Sequence, residues 1–141
     1  MNYKSNTIFF IVLLFVACGE SEVPKIKFNV DQCDYCRMNI SDGKFAAALI
    51  TKKGRTYKFD DLSCMLKYKT ENTNSVFKQL YISDFIKTNT MLPVEQAFYL
   101  ESEKISGPMQ GHIAAFANRD SALFYQKLYD AKLVAWELII H

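Results

Sequence analysis

The sequence has few histidines, few glycines and little excess charge. It contains two histidines, His112 and His141, five glycines and a formal net charge of +2. We find no Ser/His/Asp arrangement suited to nucleophilic catalysis and no glycine-rich loop that would hold a phosphate. A basic stripe with interleaved aromatic residues is also missing, which argues against nucleic-acid binding. The composition therefore points away from these classes of enzyme and from nucleic-acid partners.

The one long apolar run lies at the N-terminus. Residues Thr7–Ala17 (TIFFIVLLFVA) follow Lys4 and form a run that suits a signal peptide but is too short to span a bilayer. A small residue directly precedes Cys18, as in a bacterial lipobox. We therefore predict a lipoprotein signal peptide over residues 1–17, acylation of Cys18 and a lipidated tether over residues 18–25. The alternatives are an ordinary secretory peptide and a short core segment.

The rest of the chain, residues 26–141, is long enough for one small domain with its own core. It contains no further candidate for a transmembrane helix. We expect this domain to lie in the bacterial cell envelope, facing the periplasm and anchored to the membrane through its lipid.

The number of cysteines left after acylation is odd. Four cysteines minus Cys18 leave Cys33, Cys36 and Cys64, so an exported protein would keep at least one unpaired thiol. An unpaired thiol outside the cytoplasm is exposed to oxidation. Metal ligation is one good reason to retain it.

Sulfur is concentrated in the segment Cys33-Asp34-Tyr35-Cys36-Arg37-Met38. Thiolate and thioether together form the soft ligand set that selects Cu(I), whereas zinc does not ordinarily use methionine. Met38 follows Cys36 by two residues, so in an extended chain both side chains point to the same side. A Cys-x-x-Cys pair alone also occurs in zinc knuckles, thiol-disulfide oxidoreductases and structural disulfides.

Three later residues extend the sulfur pattern. Cys64 and Met65 occupy the first turns of a predicted helix, where adjacent residues do not share a face, so one would face the site and the other would pack in the core. Met109 follows Pro108 on a predicted loop, which favours a binding role over packing. His112 is retained only as a further candidate ligand, as is Met65.

The predicted elements describe an α+β domain of two ββα-type units. A repeat at an offset of 57 residues pairs Gly54 with Gly111, Phe59 with Phe116, Leu66 with Leu123 and Tyr68 with Tyr125, and indicates an internal duplication. In the first half we expect a hairpin over 45–51 and 56–59, a helix capped by Asp60 or Asp61 and ending near Lys69, and a strand over 76–83. An irregular connection over 84–92 follows. In the second half we expect a strand over 97–101, a hairpin-like region over 105–117, a helix over 119–129 capped by Asn118 or Asp120, and a strand over 133–140.

Taken together, these motifs resemble the NosL family of copper-binding lipoproteins, which accompany nitrous oxide reductase maturation. The resemblance rests on the lipobox and on three segments in the family's order: Cys33–Asp42 (CDYCRMNISD), Phe59–Met65 (FDDLSCM) and Pro108–Phe116 (PMQGHIAAF). It covers most of the chain after Cys18. Arg37 departs from the pattern, because family members usually have glycine there.

The resemblance implies a monomeric α+β domain, similar in topology to organomercury lyase, that carries Cu(I) outside the cytoplasm and is not an enzyme. The implied route runs from a NosDFY-type membrane complex to nitrous oxide reductase.

From the residues and the resemblance together, we expect Cys36, Met38 and Met109 to be the core ligands, with Cys33 or Cys64 completing the site. Two alternatives stay open. One is a structural zinc module of Cys33, Cys36, Asp61 and Cys64. The other is a thiol-based enzyme, either an oxidoreductase or an organomercury-lyase-like protein.

Overall fold

The computed structural model describes residues 23–140, so the predicted signal peptide, Cys18 and His141 lie outside the described residues. The described part contains two antiparallel sheets, each with one long helix. This arrangement confirms the predicted α+β class. Within residues 23–140, no helix has the length and apolar character needed to cross a bilayer.

The first unit is a four-stranded sheet with one helix. It consists of β1 (Ala47–Thr51), β2 (Thr56–Phe59), α1 (Leu62–Glu71), β3 (Phe77–Ser83) and β4 (Met91–Pro93). The strand order is β2-β1-β3-β4 and every pair is antiparallel. The β1–β2 hairpin turns at Gly54, whose φ of 81° lies in the left-handed region that glycine adopts without penalty.

The second unit repeats this plan with shorter strands. It consists of β5 (Phe98–Glu101), β6 (Ile113–Phe116), α2 (Arg119–Tyr129) and β7 (Lys132–Val134), with strand order β6-β5-β7. A short final helix, α3 (Trp136–Ile139), follows. In both units the first strand lies in the middle, its hairpin partner on one side and the strand after the helix on the other.

The offset of 57 residues holds between the two units. Strand β2 begins at residue 56 and β6 at 113, whereas α1 begins at residue 62 and α2 at 119. The helix caps match as well, because Asp61 caps α1 and Asn118 caps α2 through side-chain oxygens that accept backbone N–H groups. The predicted ββα units are therefore present, and each has a third strand added after the helix.

Three expectations about local structure need correction. The connection over 84–92 is not wholly irregular, because its end joins β4. The region 105–117 is not a hairpin by itself but the loop and second strand of the β5–β6 hairpin. The expected strand over 133–140 ends at residue 134 and is followed by α3, whose Trp136 ring stacks on Tyr99 with centroids 5.5 Å apart. A short apolar run does not by itself distinguish a strand from a helix.

Two hydrophobic clusters stabilise the domain. The larger lies between the first sheet and α1 and contains Phe59, Leu49 and Ile82, all almost fully buried. The smaller contains Phe116 and Leu100 of the second unit. The larger cluster also includes Cys33 and Cys64, so these two cysteines belong to the main core.

Candidate metal centre

The cysteine segment forms a closed turn. The Cys33 N–H donates to the Met38 carbonyl at 2.8 Å, and the Arg37 N–H donates to the Cys33 carbonyl at 3.0 Å. An antiparallel bridge between Gln32 and Asn39 closes its base. Arg37 has a φ of 67°, a left-handed conformation that costs a residue with a Cβ roughly 1–2 kcal/mol. This geometry explains the glycine expected at the position by resemblance, because only glycine adopts it freely.

Three hydrogen bonds, at two places, hold the turn against the first unit. The Asp34 N–H donates to the Lys58 carbonyl, and the Lys58 N–H donates to Asp34 Oδ2, both at 2.8 Å. The Tyr35 hydroxyl donates to Glu71 Oε1 at 2.9 Å. The turn is therefore attached to edge strand β2 and to the C-terminal end of α1, which fixes its position over the helix.

The N-terminal end of α1 supplies the third thiol. Asp61 adopts an extended conformation, and its Oδ1 accepts from the Cys64 N–H at 3.1 Å and from the Ser63 hydroxyl at 2.7 Å. This cap places Cys64 in the first turn of α1, with its thiol facing the cysteine turn.

Cys33, Cys36 and Cys64 meet at this point. Their three Sγ atoms all lie within 4.8 Å of one another, and all three cysteines are free. Cys33 and Cys64 are 0% and 1% exposed, whereas Cys36 is half-buried. Three thiols at this separation are spaced to share one metal ion. The outermost of them, Cys36, is also the one that solvent or a partner can reach.

Burial shapes the acid–base behaviour of this cluster. It raises the pKa of the Cys36 thiol, an effect that Cys33 adds to and that a hydrogen bond from the Met38 N–H opposes. Burial and then the charge of Cys33 raise the pKa of Cys64 far above its ordinary value. Without a cation, these two groups are therefore neutral thiols at physiological pH.

The Met109 loop is attached to the same helix cap. The Met109 N–H donates to Asp61 Oδ2 at 3.0 Å, so the two carboxylate oxygens of Asp61 hold Cys64 and Met109 respectively. The loop is closed by the Gly107 N–H, which donates to the Gly111 carbonyl at 2.8 Å. A Cβ at Gly111 would lie 3.2 Å from Asp61 Oδ2, which is too close for easy accommodation.

The remaining candidates occupy different surroundings. Met38 is 56% exposed at the outer side of the turn. Met65 is fully buried in the larger core cluster, against which Met109 is partly buried. The His112 ring contacts the Ile105 carbonyl at 2.8 Å and the Glu103 carboxylate at 3.5 Å. Within residues 23–140, no histidine or carboxylate joins the three thiols as a fourth close ligand.

The sequence predicts the three thiols but does not predict how the Met109 loop is attached. We expected Asp61 to be either a helix cap or a zinc ligand. It is the cap, and its second oxygen also holds the loop some 48 positions further along the chain. The clue available in the sequence was the pair of glycines flanking Met109, which permits the loop to approach a carboxylate closely.

Known proteins share the family pattern and the fold of this chain. A sequence model of the NosL family matches residues 26–140. Among solved structures, the chain is similar to the crystal structure of the copper chaperone NosL from Shewanella denitrificans, with a TM-score of 0.71, 18% identity and coverage of 84% of this chain and 95% of that one. A comparison with curated proteins gives no match. Because the family match spans most of the sequence, the chain belongs to the NosL family.

Proposed function

We propose that the protein is a membrane-tethered Cu(I) carrier that acts outside the cytoplasm, and that Cu(I) is its cargo. The observation that carries the proposal is the meeting of three thiols within 4.8 Å, two of them buried. Thiolate sulfur binds both Cu(I) and zinc, and the nearby thioethers of Met38 and Met109, which zinc does not ordinarily use, favour Cu(I). Membership of a family that includes a protein described as a copper chaperone supports the same cargo.

In this proposal Cys33, Cys36 and Cys64 hold the ion with the thioether of Met109 as a fourth ligand, and Met38 supplies the thioether that first meets the entering ion. The sulfurs form a gradient of exposure, from Met38 at 56% through half-buried Cys36 to the two buried cysteines. Cu(I) enters through Met38 and Cys36 and leaves by the same side, as sulfur or imidazole from a partner replaces them. Because thiolates bind the ion, uptake releases protons.

A structural zinc module is less well supported. Structural zinc sites are closed by four protein ligands, and Asp61 was the fourth ligand in that alternative. Its Oδ1 and Oδ2 already accept hydrogen bonds from Cys64 and Met109, and it does not join the thiol cluster. Two buried thiols and one half-buried thiol on the outer side suit a transferable ion better than a closed site does.

A thiol-based enzyme is also disfavoured by the burial of the thiols. Cys33 and Cys64 are almost fully buried, so a substrate disulfide would meet only half-buried Cys36, and burial raises the pKa of that thiol, which makes it a weak nucleophile at neutral pH. The Cys33–Cys36 pair lies in a turn, not at a helix N-terminus where the dipole would lower its first pKa. We therefore propose no catalytic residues.

The proposed context is the one that the family resemblance implies. The lipid on Cys18 anchors a monomeric domain to the membrane, and the ion passes from a NosDFY-type membrane complex towards nitrous oxide reductase. Ligand exchange accounts for delivery without release of a free ion, since an entering ligand binds before the last donor sulfur leaves.

The test is an anaerobic Cu(I) competition against a chromophoric chelator. Cys36→Ser should weaken binding by about 100-fold, equal to about 2.7 kcal/mol, because it removes a ligand while leaving the buried core intact. Met109→Ala should weaken it by about tenfold. The control is Met91→Leu, which removes a sulfur from β4 at the opposite edge of the sheet from β2 and should leave the affinity for Cu(I) unchanged.

Two results would contradict the proposal. One is a Cys36→Ser protein that binds Cu(I) as tightly as wild type while remaining folded by circular dichroism. The other is a wild-type protein that retains zinc through purification and unfolds when a chelator removes it, with no effect of either methionine. The second result would establish the structural zinc module instead.

A further inference from the structure

The β1–β2 turn has a cleft on each side, and both clefts are lined by cations. The larger has a volume of about 510 Å³ and the smaller about 410 Å³. Their cationic residues are Lys25, Lys52, Lys58 and Lys78 in the larger cleft and Lys52, Lys53 and Arg55 in the smaller. No described carboxylate lines either cleft. A chain with a net charge of only +2 thus concentrates six of its cations around one turn.

The cations at this turn differ in how they are held. Lys58 pairs with Asp31 at 2.6 Å, and the Arg55 guanidinium stacks 4.5 Å from the Tyr57 ring centre. Lys52, Lys53 and Lys78 are exposed, and in the described part of the chain no ion pair neutralises them. We call Lys52, Lys53, Arg55 and Lys78 the lysine face. It presents uncompensated positive charge, which is an arrangement suited to an anionic surface.

The lysine face lies close to where the chain enters the domain. Val23, the first described residue, lines the larger cleft. It stands five positions after Cys18 in the sequence, and five extended residues reach no more than about 18 Å. An acyl anchor on Cys18 would therefore hold this face near the lipid headgroups, whatever path the tether takes.

We propose that the lysine face binds anionic phospholipid headgroups and orients the domain on the membrane. This inference rests on the proposed tether at Cys18 and goes beyond it, because a lipid anchor alone leaves the domain free to rotate. Two exposed aliphatic residues border the clefts, Val23 at 49% and Val76 at 58%, and are placed to contact the headgroup region. The short tether favours a lipid surface over an acidic protein.

The proposed contact would also fix the position of the metal centre. The Lys58 side chain lines the larger cleft, whereas its backbone holds Asp34 of the cysteine turn through two hydrogen bonds. Strand β2 thus connects the lysine face directly to the turn that carries Cys33 and Cys36. A domain seated on this face would present its metal turn at a defined height above the bilayer.

The experiment measures vesicle binding by the mature chain, residues 18–141, carrying Cys18→Ser so that no acyl group contributes. Wild-type domain should sediment with vesicles of phosphatidylglycerol and phosphatidylcholine but not with phosphatidylcholine alone, and raised salt should release it. Replacing Lys52, Lys53 and Lys78 by glutamine should reduce binding about 100-fold, since each cation contributes about fivefold at an anionic surface. The matched control replaces exposed Lys87, Lys127 and Lys132, which removes the same charge elsewhere.

Three results would overturn the inference. The first is a wild-type domain that does not bind anionic vesicles at low salt. The second is equal loss of binding in both triple variants, which would reduce the effect to net charge. The third is a variant of Lys52, Lys53 and Lys78 that binds vesicles as the wild type does but transfers copper to an acceptor protein more slowly. That result would assign the lysine face to an acidic protein. Cu(I) competition on the same samples distinguishes failure of this inference from failure of the proposed function, because the lysine variants should bind Cu(I) as tightly as the wild type.

Discussion

Asp61 joins three parts of the molecule, so we predict that Asp61→Asn will weaken both the fold and copper binding. Oδ1 accepts from the Cys64 N–H and the Ser63 hydroxyl, whereas Oδ2 accepts from the Met109 N–H. The asparagine amide has a similar shape but only one acceptor oxygen. Either the α1 cap or the Met109 loop therefore loses its partner.

The size of the effect follows from which contact is lost. Asparagine caps helices as well as aspartate does, so we expect its oxygen to stay on the cap. The Met109 N–H then faces an NH₂ group and loses its acceptor, which costs about 1–2 kcal/mol. Asp61→Ala removes the cap as well, which adds about 1 kcal/mol. We expect the alanine variant to lose about 2–3 kcal/mol in total.

Two measurements check this prediction. Urea unfolding gives the free energy of unfolding of each variant, and chelator competition gives its affinity for Cu(I). Because the lost contact is the one that positions Met109, Asp61→Asn should weaken Cu(I) binding by about tenfold. The internal repeat supplies the matched control, since Asn118 caps α2 at the equivalent position by accepting from the Ser121 N–H at 2.9 Å. Asn118→Ala should cost about 1 kcal/mol and leave copper affinity unchanged.

The reasoning fails if Asp61→Asn has wild-type stability and wild-type affinity, because the carboxylate would then not be the link between helix and loop. It also fails if Asn118→Ala lowers copper affinity as much as Asp61→Asn does. That outcome would attribute the effect to general loosening of the fold.

Three further variants test the structure around the site. Arg37→Gly should raise the free energy of unfolding by about 0.5–1 kcal/mol relative to Arg37→Ala, because it relieves the left-handed φ of 67° and alanine does not. Gly111→Ala should cost about 1–2 kcal/mol in urea unfolding, because its Cβ would lie 3.2 Å from Asp61 Oδ2. Asp60 is 1% exposed with its Oδ1 unpartnered, and burial followed by the charge of Asp61 raises its pKa. The contribution of Asp60 to the free energy of unfolding should therefore fall as pH rises above 3.8. Asp60→Asn should remove that fall and raise the free energy of unfolding by about 1 kcal/mol at pH 7.

Much of the fold was predictable because local signals agree with it. The β1–β2 hairpin follows from Gly54 between two strand-like runs, and α1 and α2 follow from Asp61 and Asn118 as caps. The terminal run LVAWELII was wrong as a single strand, because neither its apolar character nor its length distinguishes a strand from a helix. Packing of Trp136 on Tyr99 accompanies the helical turn, and that contact joins positions far apart in sequence.

The three candidate thiols were predictable from the sequence, but their contacts were not. Soft-ligand chemistry singles out Cys33, Cys36 and Cys64, and the structure places their sulfurs together. The position of the cysteine turn depends on two hydrogen bonds between Asp34 and Lys58 of β2, one of them accepted by the Asp34 carboxylate, which no local pattern reveals. The buried side of the cluster was unpredictable for the same reason, since burial depends on the whole fold.

The internal repeat places the two proposed roles on equivalent loops of the two units. The loops of the two hairpins occupy equivalent positions, and Lys52 of the first stands where the offset of 57 places Met109 of the second. The first is a tight turn of exposed cations, whereas the second is a longer loop that Asp61 draws onto α1. In the two proposals, the loop of the first hairpin faces the membrane and the loop of the second belongs to the metal centre. If both proposals hold, exchanging Lys52 and Met109 by double substitution should impair vesicle binding and copper affinity together, whereas each single change should affect only its own hairpin.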